Sequence, residues 1–114
     1  MFSSTSSAEW TEVGWKDETT YYVDFERIRK HDGYVYYWNL ADELKPTKFG
    51  NLSSKSYEQV DCKMLRYKVL SDSYYTEPMG RGIRSASSNE PDKEWNYPSP
   101  NSVDEELLKT VCSR

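Results

Sequence analysis

Alternating apolar and polar positions run through most of the chain and predict β-strands. An Asp-Gly pair at Asp32 and Gly33 predicts a tight turn, and residues 26–30 suggest one helical turn before it. Residues 41–53, with their Pro and Gly, predict a loop. The predicted strands cover residues 10–15, 19–25, 34–40, a long strand that starts at 54, bends near Cys62 and continues to 77, and the short strands 83–86 and 94–97.

The period changes from two to 3.6 near the end of the chain, which predicts an α-helix after Ser102. Ser102 and Glu105 have the spacing of a capping box, in which each side chain accepts from the other residue's backbone N–H. Cys112 lies at the edge of the apolar stripe that should face the sheet. The stripe consists of Val103, Leu107, Leu108 and Val111. The chain is therefore predicted to be α+β: an antiparallel meander of about six strands with one C-terminal helix packed on it.

The aromatic residues of the predicted strands divide into an inner and an outer set. The face of strand 34–40 that carries Tyr34, Tyr36 and Trp38 is expected to lie in the core, as is the face of strand 19–25 that carries Tyr21, Val23 and Phe25. Exposed Tyr and Trp are favoured in binding surfaces. The aromatic residues predicted to be exposed are Tyr22, Tyr37, Tyr74 and Tyr75.

The two cysteines lie in different predicted elements, Cys62 on the long strand and Cys112 on the helix. A disulfide between them would fasten the helix to the sheet and would indicate an exported protein. Two unrelated buried thiols are the alternative.

Composition limits the classes of partner. With 15 basic and 19 acidic residues mixed along the chain, a net charge of −4 argues against nucleic acid. No stretch approaches the roughly 20 apolar residues of a membrane span. Residues 1–8 are polar, lack a signal-peptide core, and are expected to be a disordered tail preceding a single domain at 9–114. We expect the chain to represent a mature form.

The order of several short motifs resembles the surface-adhesin E family of bacterial exported proteins. The similarity extends from about residue 9 to 112. The residues that carry it are Trp10, Tyr21-Tyr22-Val23-Asp24, Ile28, Trp38, Ser53-Ser54, Tyr57-Glu58, Asp61-Cys62, Arg66-Tyr67-Lys68-Val69-Leu70-Ser71, Pro78-Met79-Gly80-Arg81-Gly82, Glu94-Trp95, Pro100, Leu107-Leu108-Lys109 and Cys112.

This resemblance implies a Cys62–Cys112 disulfide, an antiparallel sheet with a C-terminal helix, and a location at the cell surface or in the periplasm. It also implies adhesion to another protein, which in a host-associated source is an extracellular host protein. The matching residues look structural, so the resemblance transfers no binding site.

Catalytic chemistry has little support in the sequence. His31 is the one histidine and lies in a predicted turn, and no Gly-x-Ser-x-Gly elbow is present. A zinc site needs about four N or S ligands, more than the chain offers. We therefore expect no enzyme activity, metal or cofactor.

The sequence favours a non-enzymatic binding module that engages another protein. Lys63, Arg66 and Lys68 are close together in the chain, and Arg66 and Lys68 share a strand face, so we predict that these three residues contact the partner together with Tyr74 and Tyr75. A solvated strand face is the alternative interpretation of the basic residues, and a structural pairing of Arg66 with Glu58 is another. A second hypothesis is a periplasmic carrier that holds a small apolar ligand between helix and sheet. The edges of an open sheet also allow a homodimer by edge pairing.

Overall fold

The computed structural model describes residues 9–114, and the predicted tail at 1–8 lies outside them. One antiparallel sheet and one C-terminal α-helix make up the regular structure. Single turns of 3-10 helix occur at Phe25–Arg27 and Pro78–Gly80. The elements are β1 (Thr11–Lys16), β2 (Thr19–Val23), β3 (Arg29–His31), β4 (Tyr34–Glu43), β5 (Ser53–Asp61), β6 (Arg66–Tyr75), β7 (Arg84–Ser88) and α1 (Val103–Cys112).

The strands are arranged in the order β1-β2-β4-β5-β6-β7, and β3 pairs with β4 next to the end of β2. Every pairing is antiparallel. This architecture confirms the predicted meander with a C-terminal helix. The Asp-Gly turn is also confirmed, since Asp32 and Gly33 adopt φ angles of 51° and 84° between β3 and β4.

The prediction of one long strand that continues through Cys62 is wrong. β5 ends at Asp61, the chain turns through residues 62–65, and β6 runs back antiparallel to β5. The Asp61 carboxylate accepts hydrogen bonds from the backbone N–H groups of Lys63 and Met64, at 3.1 and 3.3 Å. This side-chain turn, with Leu65 at a φ of 50°, reverses the chain inside a stretch whose alternation looks continuous.

Two of the smaller predicted elements also differ. Residues 94–97 make a single β-bridge, between Asn96 and Tyr67, where we predicted a strand. The helical turn predicted at 26–30 is shorter and earlier: it covers Phe25–Arg27, where the Asp24 carboxylate caps it by accepting from the N–H of Glu26. The next residues form β3, which pairs with β4.

The prediction of which face of β4 lies in the core is wrong as well. Val35, Tyr37 and Asn39 point toward the helix and are buried, and Tyr37, which we expected to be exposed, has no exposed surface. Tyr34, Tyr36 and Trp38 lie on the opposite face, half-buried. Both faces of this strand carry large apolar or aromatic side chains, so a period of two defines the faces without showing which one meets the helix.

α1 packs across the sheet as its apolar stripe predicts. Leu107, Leu108 and Val111 are buried against Val23, Val35, Tyr37 and Val60. Ser102 caps the helix by accepting from the N–H of Glu105 at 3.1 Å. The Glu105 carboxylate accepts from the N–H of Asn101 instead of Ser102.

A disulfide joins Cys62, in the turn after β5, to Cys112, the last residue of α1. It confirms the predicted link between the helix end and the sheet. Fifty positions separate the two cysteines, so the bridge closes a large loop of the chain and holds the C-terminal end of α1 on the core.

Candidate functional site

The structure separates the predicted contact residues into three places. Arg66, Lys68 and Tyr75 lie on the sheet face opposite α1, which we call the open face. Tyr74 points to the helix side of the sheet. It pairs with Ser54, which pairs with Ala41, and Ala41 lies on the same face of β4 as the buried Tyr37. Lys63 is exposed in the turn between β5 and β6. The predicted residues therefore do not form one site.

Cations on the open face lie over aromatic rings. The guanidinium carbon of Arg66 is 4.5 Å from the centre of the Trp95 ring, and the ammonium nitrogen of Lys68 is 4.9 Å from it. At other points Arg27 lies 5.8 Å from the Trp38 ring and Lys55 lies 4.8 Å from the Tyr75 ring. Such contacts stabilise the cations in defined positions.

Trp95 was missed as a site residue because it is distant in sequence from the basic strand. It belongs to the segment that follows β7 and returns alongside β6, where the backbone of Asn96 pairs with Tyr67. This return places the indole next to Arg66 and Lys68. The pairing depends on a bridge of one residue, which leaves no periodic signal in the sequence.

Arg66 is half-buried on the open face and has a structural role there. Its Nε donates to the carboxylate of Asp61 at 2.9 Å, and its Nη1 donates to the hydroxyl of Tyr97 at 3.0 Å. Burial alone would raise the pKa of Asp61, but the hydrogen bonds from Arg66 and from the turn hold that pKa below its usual value. The suggested pairing of Arg66 with Glu58 is wrong, because Glu58 lies on the other side of the sheet.

Half-buried aromatic rings extend across the open face from β4 to β6. The Trp38 and Tyr57 rings are 4.9 Å apart between centres, and Tyr57 stacks on Tyr36 at 6.2 Å. Tyr34 packs on Trp95 at 5.7 Å. The rings therefore form two groups on this face, one of Tyr36, Tyr57 and Trp38 and the other of Tyr34 and Trp95.

A second surface lies at one end of the sheet, which we call the loop end: the β1–β2 turn at 17–18, the β4–β5 loop at 44–52 and the β6–β7 loop at 76–83. Three large apolar side chains are exposed here, Leu44 at 73%, Phe49 at 78% and Ile83 at 74%. Hydrogen bonds fix the loops to one another, including Leu44 N–H to the carbonyl of Glu18. The loop end therefore presents apolar side chains on an ordered backbone.

A groove of about 600 Å³ adjoins the loop end on the helix side of the sheet. Phe49 and Lys48 form one wall, and Tyr74, Ser54 and Ala86 contribute the sheet side. A smaller groove of about 280 Å³ lies beside the helix, between α1 and β1, with a mixed polar and apolar lining. The larger groove thus lies away from the space between helix and sheet in which we expected a carried ligand.

Beneath α1 a buried polar network joins β4 to β5. The Tyr37 hydroxyl and the Asn39 amide donate to the Glu58 carboxylate at 3.1 and 3.0 Å. Burial, with a smaller contribution from the nearby Asp104 and Asp92 carboxylates, raises the pKa of Glu58 to about 7, although the hydrogen bonds from Asn39 and Tyr37 lower it. Burial also raises the pKa of Tyr37 well above its usual value. The network lies under the helix and satisfies its own polar atoms, so we assign it to the fold.

The other titratable groups are dispersed. His31 is exposed in its turn next to Asp32. Within residues 9–114, no group of three or more His, Cys, Asp or Glu side chains is arranged to hold a metal ion. In the same range, no helix is long and apolar enough to cross a membrane.

These features define a disulfide-stapled sheet with two open surfaces, and comparison with known proteins identifies its family. The family model described as surface-adhesin protein E matches residues 10–113. The chain therefore belongs to the surface-adhesin protein E family, as its motifs indicated. A search of curated proteins found no match.

Solved structures of Haemophilus influenzae protein E have the same fold. A second crystal form of that protein matches with 19% identity and a TM-score of 0.64, over 82% of this chain and 80% of that one. Protein E from non-typeable H. influenzae matches with 16% identity and a TM-score of 0.62, over 98% and 82%. The family assigns this chain to adhesin-type proteins that act outside the cytoplasm.

Proposed function

We propose that the protein is a non-enzymatic exported module that binds another protein through its loop end. The observation that carries this proposal is the grouping of exposed Leu44, Phe49 and Ile83 beside the 600 Å³ groove. Membership in an adhesin family supports a binding role, and the disulfide agrees with an oxidising compartment, at the cell surface or in the periplasm.

The exposed apolar side chains are not needed to shape their loops. In the β4–β5 loop the Thr47 hydroxyl accepts from the N–H groups of Phe49 and Asn51, each at 3.3 Å. The Ser85 hydroxyl donates to the Asn51 side chain at 2.6 Å and ties this loop to β7. Backbone and polar contacts thus order the loop, while the Phe49 ring remains in solvent. An exposed ring on an ordered backbone loses little entropy when a partner covers it.

The groove gives the partner a place to insert a side chain. Protein interfaces concentrate their binding energy in a few residues, often Trp, Tyr or Arg, that enter such pockets. Tyr74, one of the residues predicted to contact the partner, lines this groove. In a host-associated source the partner is an extracellular host protein.

The position of the larger groove changes where a carried ligand would bind. Its volume of about 600 Å³ falls within the range of small-molecule sites, so a carried apolar ligand would bind at the loop end and not under the helix. A homodimer through the edge strands β1 and β7 stays a prediction.

Matched apolar-to-polar variants test the loop end. Phe49→Ser and Ile83→Ser should each weaken capture of the partner from the native envelope or from extracellular host proteins. Met64→Ser is the control, since Met64 is 55% exposed in the turn at the opposite end of the sheet. The protein bands captured by the wild type and by Met64→Ser should be lost with Phe49→Ser, while all three variants keep the wild-type melting temperature.

Equal capture by all the variants would contradict the proposal. Binding of a small dye with an apolar ring system, such as a naphthalene sulfonate, distinguishes the carrier hypothesis from protein binding. A carrier should bind the dye in the groove and lose it with Tyr74→Ser, without any protein partner being captured.

A further inference from the structure

We propose that the open face is a second binding site and that its ligand is an anionic polysaccharide carrying carboxylate or sulfate groups. This site is separate from the loop end and does not depend on the function proposed there. It uses Arg66 and Lys68, which the sequence singled out, together with the aromatic rings beside them.

The charged side chains of the open face favour an anionic ligand. Arg27, Lys55, Arg66 and Lys68 lie over aromatic rings on the open face, although the chain as a whole has a net charge of −4. The carboxylates beside two of these cations are already engaged. Asp24 is 1% exposed and bonded to Arg27, and Asp61 is 8% exposed and bonded to Arg66.

The cations still have donors to offer. A guanidinium carries five N–H groups, and the contacts of Arg66 to Asp61 and Tyr97 use only Nε and one hydrogen of Nη1. The remaining donors, and the ammonium group of Lys68, suit the oxygens of a carboxylate or sulfate. The rings beneath hold both side chains in place, which reduces the entropy lost on binding.

Aromatic side chains add apolar surface to the open face. Tyr36, Tyr57 and Trp38 pack on one another, stacked or tilted, and are half-buried, so part of each ring is exposed to solvent. A sugar ring has apolar C–H groups on its faces that pack on such rings, while its hydroxyl and acidic groups stay at the rim. An acidic protein surface would use the cations but would gain less from the half-buried rings between them.

Cations lie on both sides of these rings. Arg27 contacts Trp38 on β4, and Lys68 lies on β6, two strands away across the sheet. The aromatic rings fill the space between them. A linear polymer with a charge on successive sugars has the same alternation of apolar ring and anion.

Three soluble probes test the chemistry of the ligand: a heparin oligosaccharide, a hyaluronate oligosaccharide and polyglutamate of equal charge, each titrated by calorimetry. We expect heparin to bind at low salt and to weaken as salt rises, because screening reduces the charge contacts. Binding of heparin alone identifies sulfate as the recognised group, and binding of both sugars identifies the carboxylate on a sugar ring. Either result supports the site, whereas polyglutamate binding as tightly as the sugars would overturn it.

Variants locate the site. Lys68→Glu should weaken binding by about tenfold, because it replaces a charge-assisted contact with repulsion. Lys16→Glu is the matched control, since Lys16 is exposed beside the helix and away from the open face. Trp95→Leu should weaken binding with little change in the salt dependence, since it removes ring surface and no charge.

Unchanged binding with either Lys68→Glu or Trp95→Leu would overturn the proposal. Circular dichroism melting confirms that each variant is folded. If Trp95→Leu does not fold, Tyr57→Leu removes ring surface at the centre of the same face and gives the same comparison.

Discussion

The hydroxyl of Tyr37 donates a hydrogen bond of 3.1 Å to the carboxylate of Glu58 beneath the C-terminal helix. Both side chains are buried, and Asn39 donates to each of them, at 3.2 Å to the hydroxyl and 3.0 Å to the carboxylate. The core of this small protein thus contains an acid whose burial favours its neutral form. This has a consequence for the pH dependence of folding.

Stability should decrease between about pH 4.5 and 7 because of Glu58. Its pKa in the folded protein is about 7, against an ordinary value of 4.5. The folded state therefore binds more protons than the unfolded state in this window, and its free energy of unfolding declines as pH rises. The expected loss is about 3 kcal/mol, since each tenfold difference in proton affinity corresponds to about 1.4 kcal/mol.

Glu58→Gln should remove this decline, because the amide keeps hydrogen-bonding capacity and cannot ionise. Urea unfolding of both proteins at pH 5 and pH 8 measures the difference. Glu105→Gln is a control, because hydrogen bonding from the backbone of Asn101 lowers the pKa of the Glu105 carboxyl, the opposite direction to Glu58. A wild-type protein as stable at pH 8 as at pH 5 would show that Glu58 ionises normally.

Loss of the disulfide should destabilise the protein by about 2–5 kcal/mol, because the unfolded chain regains the freedom that the closed loop removes. The double variant Cys62→Ser, Cys112→Ser avoids a free thiol, and denaturant unfolding measures its stability against the wild type. Reduction of the wild type with dithiothreitol should reproduce the same loss. Equal stability of oxidised and reduced protein would contradict the role assigned to the bridge.

Leu108→Ala should cost about 2–5 kcal/mol, since it leaves a cavity between α1 and the sheet. Leu108 is 1% exposed. Val103→Ala is a useful comparison, because Val103 lies at the half-buried start of the same stripe and should lose less. Similar, small losses for both variants would indicate that the helix packs loosely.

Arg66 and Lys68 should differ in their effect on stability. Arg66→Glu breaks the ion pair with Asp61, which is 8% exposed, and leaves a buried carboxylate facing a like charge, so it should lower stability by about 1–3 kcal/mol. Lys68→Glu should change the melting temperature little, since Lys68 lies over the Trp95 ring and forms no salt bridge within residues 9–114. Thermal melts of the two single variants measure this, and equal effects would be evidence against the distinction.

The sequence by itself determined the elements with strong local signals. The apolar stripe of α1 and its Ser102 cap predict the helix and the face it buries, because both depend on residues three or four positions apart. The Asp32-Gly33 turn and most strands follow from equally local patterns. The placement of Cys62 and Cys112 in two different elements suggested a disulfide, the family resemblance implied it, and the structure contains it.

Tertiary structure decided which face of each strand is inside and which distant residues meet. Tyr37 and Tyr36 are neighbours with similar side chains, yet one is fully buried and the other half-exposed, because the helix packs on one face only. The turn at Asp61 and the approach of Trp95 to Arg66 depend on contacts made after the chain folds back on itself. A period of two shows that a strand has two faces, but the element packed across the sheet determines which face becomes core and which remains free to bind.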